Sequence, residues 1–143
     1  MQFGKYPIYG ATGIIAYSEN YQINSNAILI IKDGASIGRV HFTREKASVI
    51  GTLNYLLANE NVSLEYIFYC LKYFNFSKFK VGSGIPHIYF RDYGEAMIYC
   101  PSYDEQVKSS SLLVSLEEKL LIEIKILKIL QEQKQYLLAC LFI

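Results

Sequence analysis

The chain has 143 residues and a mass of 16.4 kDa, which is enough for one compact domain with an appendage and does not require two. An apolar share of 52% is ample for a hydrophobic core and excludes intrinsic disorder. Fourteen Lys and Arg residues against thirteen Asp and Glu residues give a net charge of +1. The chain is therefore no polycation, and any surface for nucleic acid must be a local patch.

The cysteines and histidines indicate neither disulfides nor a metal site. Cys70, Cys100 and Cys140 are odd in number and far apart, and only two histidines accompany them, so we expect buried free thiols, a reducing compartment and no metal. The first five residues lack the apolar stretch of a signal peptide, and no apolar run approaches the ~18 residues of a membrane span. We expect a cytoplasmic protein without membrane contact.

The distribution of glycine divides the chain into two parts. All nine glycines precede residue 95, whereas the 42 residues after Pro101 contain neither glycine nor proline. This boundary predicts an α+β fold: a glycine-rich mixed α/β domain over residues 1–103, followed by a long coiled-coil-like helix over residues 104–143.

Four segments of the first part have β-like or turn patterns. The apolar runs Ile14–Tyr17 and Ala27–Ile31 predict buried strands, and Lys32–Gly34 after the second run predicts a tight turn. The alternation in Val40–Phe42 predicts the returning strand.

A helix and a loop complete the first part. Ser63 is the predicted N-cap of a helix over Leu64–Tyr73, whose apolar residues share one face. A glycine loop over Val81–Pro86 follows, and Ala96–Tyr99 predicts a closing strand.

The second part opens with a predicted capping box, Ser102–Glu105, and its helical pattern continues to about Leu141. Seven of nine seam positions of a heptad repeat are apolar, and Glu123 and Lys134 are the two breaks. Further Leu and Ile residues lie off this seam, so the helix must pack against more than one neighbour. The residues that we expect at a dimer interface are Leu113, Leu116, Leu120, Leu127, Leu130 and Leu137.

Basic residues cluster in a stretch without acids. No acidic residue lies between Glu65 and Asp92, whereas four cations and several aromatic residues do. Such a pattern suits contact with DNA phosphates, although a solvated charged face is the alternative that composition alone leaves open. The candidate DNA-binding residues are Arg39, Arg44, Lys72, Lys78, Lys80, Ser83, His87 and Arg91.

Motifs for catalysis are missing from the sequence. It contains no G-x-S-x-G elbow, no Walker loop and no G-x-G-x-x-G. A small hydrolase that uses Ser83 and His87 is the catalytic alternative, and we expect no catalytic residue and no cofactor.

Four segments together resemble the target-recognition domain and spacer helix of type I restriction–modification specificity subunits. They lie in the order that this family has, and the resemblance covers essentially the whole chain. The segments are Lys5–Tyr17 with Ile28–Gly38, Gly84–Ile88, Pro101–Gln106, and Gln133–Leu138 with Leu141–Phe142.

The resemblance implies a non-catalytic adaptor that binds double-stranded DNA. In this family the specificity subunit carries two recognition domains and two long antiparallel helices, and it reads a bipartite site. A modification subunit brings S-adenosylmethionine, and a restriction subunit brings ATP-driven translocation and cleavage.

This chain has only one domain and one helix, and it begins closer to the first matching segment than is usual in the family. We therefore expect a truncated, recombined or excised half-subunit, in which the first strands of the domain are incomplete, and a homodimer that restores the second helix. A coiled-coil assembly protein whose globular head binds another protein is the alternative function.

Overall fold

A computed structural model describes residues 4–141. Met1, Gln2 and Phe3, from the segment compared with a signal peptide, and Phe142 and Ile143 lie outside the described residues. The elements are β1 (Tyr6–Gly10), β2 (Gly13–Ser18), β3 (Ala27–Ile31), β4 (Val40–Thr43), β5 (Ser48–Val49), β6 (Leu53–Leu56), α1 (Leu64–Tyr73), a 3₁₀ turn (Phe76–Phe79), α2 (Phe90–Tyr93) and α3 (Tyr103–Leu141). The predicted α+β class is confirmed.

The chain forms two compact units, Met1–Val107, which we call the head, and Lys108–Ile143, whose described part we call the distal helix. Both sheets lie in the head. One has the order β4-β3-β6 with antiparallel pairing throughout, and the other has the order β2-β1-β5.

Strand β3 is the centre of the head. All five of its residues are completely buried, as the continuous apolar run predicts. Because side chains alternate along a strand, Ile28 and Ile30 enter a core with α1, while Leu29 and Ile31 enter a second core with Leu53. The strand therefore has apolar packing on both of its faces.

Strand β2 is less buried than its sequence predicts. The predicted strand exists, but Ile14, Ile15 and Tyr17 are exposed rather than buried. The reason is its position at the edge of its sheet, where β1 is its only neighbour among the described strands.

The predicted helix α1 is confirmed with its cap. Ser63 Oγ accepts a hydrogen bond from the Tyr66 amide at 3.3 Å. Glu65 lies in the first turn, where its negative charge interacts favourably with the positive end of the helix dipole. Leu64 and Leu71 are buried against the first core, so the predicted apolar face is the packed face.

The prediction of a closing strand over Ala96–Tyr99 is wrong, because this segment forms no strand. Both long edges of β3 are already paired, and this segment runs as an unpaired connection in which Met97 is 97% exposed. Ile98 alone packs against the core, and the Tyr99 carbonyl accepts a hydrogen bond from the Tyr66 hydroxyl at 2.9 Å.

The cysteines are free, as expected, but they are not all buried. Cys100 and Cys140 are exposed, and Cys70 is half-buried. Cys100 lies in the exposed connection before α3, and Cys140 lies near the end of the distal helix, where the described chain provides no cover.

Helix α3 begins with half of the predicted capping box. Glu105 accepts hydrogen bonds from the Ser102 amide at 3.1 Å and from the Ser102 hydroxyl at 2.6 Å. The hydroxyl is thus a donor to the carboxylate, rather than the acceptor from the helix backbone that the pattern predicts.

Gln106 fixes the first turn of α3 to the rest of the head. Its side chain is buried, its Oε1 accepts from the Ser63 amide at 2.9 Å, and its Nε2 donates to the Pro101 carbonyl at 2.8 Å and to Cys100 Sγ at 3.2 Å. Because Ser63 is the N-cap of α1, one glutamine side chain joins the starts of two helices.

The distal helix has apolar residues around its whole circumference. The six leucines predicted at a dimer interface are between 38% and 61% exposed, and Leu121, Ile122 and Ile124 on other sides are exposed as well. Over residues 4–141, no helix combines the length and the apolarity that crossing a membrane demands.

Changing Gln106 to Ala should destabilise the head by about 2–3 kcal/mol, because the buried Ser63 amide loses its side-chain partner. Urea denaturation measures this change in the free energy of unfolding. The matched control is Gln131→Ala on the exposed distal helix, which should change it by less than about 0.5 kcal/mol. Equal effects of the two substitutions would contradict the role given to Gln106.

Candidate DNA interface

The glycine loop predicted over Val81–Pro86 extends to Ile88 in the structure, and the name is used for Val81–Ile88 from here on. Backbone hydrogen bonds hold it at the end of β3. Val81 and His87 exchange two bonds of 2.9 Å across the loop. The Gly34 amide donates to the Pro86 carbonyl, and the Ile88 amide donates to the Lys32 carbonyl, both at 2.9 Å. The loop is therefore fixed at its base, while its tip, including Ser83 and Ile85, is exposed.

Side-chain contacts also connect the glycine loop to the end of β3. Asp33 Oδ1 accepts from His87 Nδ1 at 2.7 Å, and Asp33 Oδ2 pairs with Lys32 Nζ at 2.7 Å. Partial burial by itself would raise the pKa of the Asp33 carboxyl, but the hydrogen bonds to His87 and Lys32 and the charge of Lys32 outweigh it and hold that pKa below its usual value. Asp33 is thus a carboxylate with both oxygens engaged.

Tyr89, directly after the loop, lies between two predicted site residues, His87 and Arg91. The rings of His87 and Tyr89 lie nearly parallel, with centroids 6.5 Å apart, and the Arg91 guanidinium lies 5.1 Å from the Tyr89 ring centre. Arg91 also contacts the Asp92 carboxylate at 3.3 Å, although its side chain stays largely exposed. His87 and Arg91 are therefore presented together.

Lys78 and Lys80 precede the loop directly. Lys78 lies in the 3₁₀ turn and Lys80 caps its end, and both are exposed, with no ion pair to either in the part of the chain that the structure describes. The turn packs against the β3–β4 connection at Gly38, which has φ +78°, and a Cβ there would lie 2.6 Å from Phe76 Cβ. This close approach needs glycine and keeps the two lysines beside the end of β3.

Arg44 and Lys72 form a separate pair of cations. Phe42 on β4 and Phe68 on α1 make an edge-to-face contact with centroids 5.4 Å apart. The Arg44 guanidinium lies 5.3 Å from the Phe42 ring centre, and Lys72 Nζ lies 5.5 Å from that of Phe68. The structure brings these two residues together on one aromatic pair.

Arg39 is the last predicted site residue. It lies just before β4, and its carbonyl accepts from the Ile31 amide at 3.0 Å, so its backbone is at the end of β3 where the glycine loop also attaches. Its side chain is exposed.

The hydrolase alternative finds no support in the geometry. The hydrogen bonds of His87 lead to Asp33 and Val81, and none of those described involves Ser83, so no nucleophile and base are paired. His41, the other histidine, lies on β4 with a buried Nε2, and burial lowers the pKa of its ring. Residues 4–141 contain no group of His, Cys, Asp and Glu that is arranged to hold a metal ion.

Sequence reasoning missed the roles of Asp33 and Lys32. The sequence analysis gave Asp33 no role beyond a predicted turn, whereas in the structure it holds His87, 54 positions later in the chain. The available signal was the position of Asp33 in a turn directly after a buried strand, because a polar residue there lies at a sheet end.

Comparison with known proteins identifies the family. The family model described as "Type I restriction modification DNA specificity domain" matches residues 2–132. A solved structure, that of the type I restriction–modification system S subunit from M. genitalium, is similar with a TM-score of 0.62 at 22% identity, which shows a shared fold. The match covers 84% of this chain and 33% of that one, so the chain spans about a third of that subunit's length.

A comparison with curated proteins gives no match. The family match, however, extends over both the head and most of the distal helix. The chain therefore belongs to the family of type I restriction–modification DNA specificity domains.

Proposed function

We propose that this chain recognises a DNA sequence for a type I restriction–modification system and does no chemistry itself. The observation that carries the proposal is the family match over residues 2–132, together with a fixed, exposed loop flanked by cations. In this role the chain binds double-stranded DNA and directs a modification subunit and a restriction subunit to it in the cytoplasm. S-adenosylmethionine and ATP serve those partner subunits.

The loop and the cations have different tasks in this proposal. Lys78, Lys80 and Arg91 contact phosphates next to the loop, and Arg39, Arg44 and Lys72 contact phosphates further along the duplex. Ser83 and His87 lie at base edges, because the loop that carries them is rigid at its base and exposed at its tip. The alternative of a protein-binding head is not favoured by a family described as DNA specificity domains.

Changing Lys78 and Lys80 together to Ala should weaken binding to every duplex and lower the salt slope of log K by about 2, since each lysine neutralises one phosphate. Fluorescence anisotropy at several salt concentrations measures the slope. Lys119→Ala with Lys125→Ala removes the same charge from the distal helix and should leave the slope unchanged. An unchanged slope for the head variant would remove these two lysines from the interface.

We also propose that two copies pair through their distal helices. Each fully buried Leu or Ile side chain contributes roughly 1.5–3 kcal/mol, and at least six leucines of the helix are substantially exposed in the single chain. An antiparallel two-fold pair covers the same strip on both copies and places Glu123 of one copy near Lys128 or Lys134 of the other. Such a dimer has two identical heads, so its target is a split palindrome.

Light scattering at micromolar concentration should give about twice the chain mass of 16.4 kDa. Leu120→Asp with Leu127→Asp should reduce this to the mass of one chain, because two charges then lie in an apolar interface. Lys125→Asp, on the side of the helix opposite the apolar seam, is the control and should leave the dimer intact. A wild-type monomer would contradict the pairing.

A further inference from the structure

We propose that Asp33 is a positioning residue that makes His87 Nε2 a hydrogen-bond acceptor, which reads the exocyclic amine of one DNA base. This inference rests on the proposed DNA-recognition function and gives its loop a defined ligand chemistry. The amine is N6 of adenine or N4 of cytosine, the two base groups that donate in the major groove.

The Asp33 carboxylate determines which nitrogen of the His87 imidazole carries the hydrogen. An ionised carboxylate only accepts hydrogen bonds, so a 2.7 Å contact between Asp33 Oδ1 and His87 Nδ1 requires the hydrogen on Nδ1. In a neutral imidazole the other nitrogen, Nε2, then carries a lone pair and accepts. The lowered pKa of Asp33 agrees with the ionised state.

Neighbouring groups fix the orientation of the His87 ring. Lys32 Nζ holds the other oxygen of Asp33, and the backbone of His87 is fixed by its two bonds to Val81. The Tyr89 ring lies nearly parallel to the imidazole, with centroids 6.5 Å apart, and the Arg91 guanidinium lies 5.1 Å from the Tyr89 ring centre. The imidazole is therefore held along its Nδ1 edge and through its fixed backbone, with Tyr89 beside it.

The second ring nitrogen of His87, Nε2, is accessible to a ligand. The His87 side chain is 38% exposed, and among the described residues no protein group bonds to its Nε2. Among the described residues, the buried side-chain atoms without a hydrogen-bond partner are His41 Nε2 and Thr52 Oγ1. His87 Nε2 has no protein partner and is not among these buried atoms, so it is accessible to solvent. An acceptor of fixed direction is thus open to solvent in the loop that we place at the DNA.

A lone acceptor has a simple preference. In the major groove adenine and cytosine present an amine, whereas guanine and thymine present a carbonyl oxygen at the corresponding place. His87 should therefore select A or C over G or T at one position of each half-site.

The test is a selection from random duplexes by the full chain with its modification subunit, repeated with two variants. His87→Asn keeps an amide N–H that can donate to Asp33, but its shorter side chain has no acceptor at the position of His87 Nε2. Asp33→Asn keeps a polar partner for His87, but its amide can also donate to Nδ1, so Nε2 is no longer restricted to accepting. Asp92→Asn is the control, because it removes one carboxylate on the same surface that contacts Arg91 alone in the described structure. Thermal melting checks that each variant is folded.

We expect the wild-type target to contain A or C at one position in each half-site. Both variants should relax that position alone, and Asp92→Asn should leave it unchanged. Where the base is adenine, its replacement by purine, which lacks the amine, should weaken wild-type binding about five- to tenfold and leave the His87→Asn variant unaffected. Cytosine is tested in the same way with the pyrimidinone that lacks its amine.

The outcomes separate the two proposals. An unchanged target for His87→Asn, or a loss of preference spread over all positions, overturns the role of the Asp33–His87 pair and leaves DNA recognition standing. If the wild-type protein enriches no sequence, the proposed function fails and this inference fails with it.

Discussion

The rest of the head depends on the burial of β3 on both faces. A strand with no exposed residue needs an apolar layer on each side and neighbours on both edges. Helix α1 covers one face, Ile23 with Tyr9 and Val49 covers the other, and β4 and β6 pair with the two edges. The buried strand ends at Ile31, and the polar turn Lys32–Gly34 follows it directly. The candidate site is built on that end, because the glycine loop bonds to the backbone of these residues.

The rigid base of the glycine loop fixes the directions of the hydrogen-bonding groups that the loop carries. Base recognition needs donors and acceptors whose directions are set before the DNA arrives, since disorder in the free protein would cost affinity. The backbone bonds of the loop and the shared carboxylate of Asp33 supply that order, while the loop tip remains exposed. Three of the cations proposed to contact phosphates, Arg44, Lys72 and Arg91, lie 5.1–5.5 Å from the centres of aromatic rings, which restricts their side chains.

Local patterns predicted the elements that local physics controls. The five-residue apolar run gave β3, Ser63 and the apolar spacing gave α1, and the absence of glycine and proline gave α3. The errors concern contacts between distant residues: the exposure of β2 follows from its place at a sheet edge, and Ala96–Tyr99 has β propensity but no strand to pair with. The Asp33–His87 bond was hidden for the same reason, because no periodicity links residues 54 positions apart.

In the function that we propose, this chain gives sequence specificity to a separate methyltransferase subunit. The most direct measurement maps methylated positions in genomic DNA after incubation with the modification subunit and S-adenosylmethionine, with and without this chain. We predict methylation at one bipartite sequence only when the chain is present, and none from the chain alone. The same methylated positions in both reactions, or methyl transfer by the chain alone, would contradict the account.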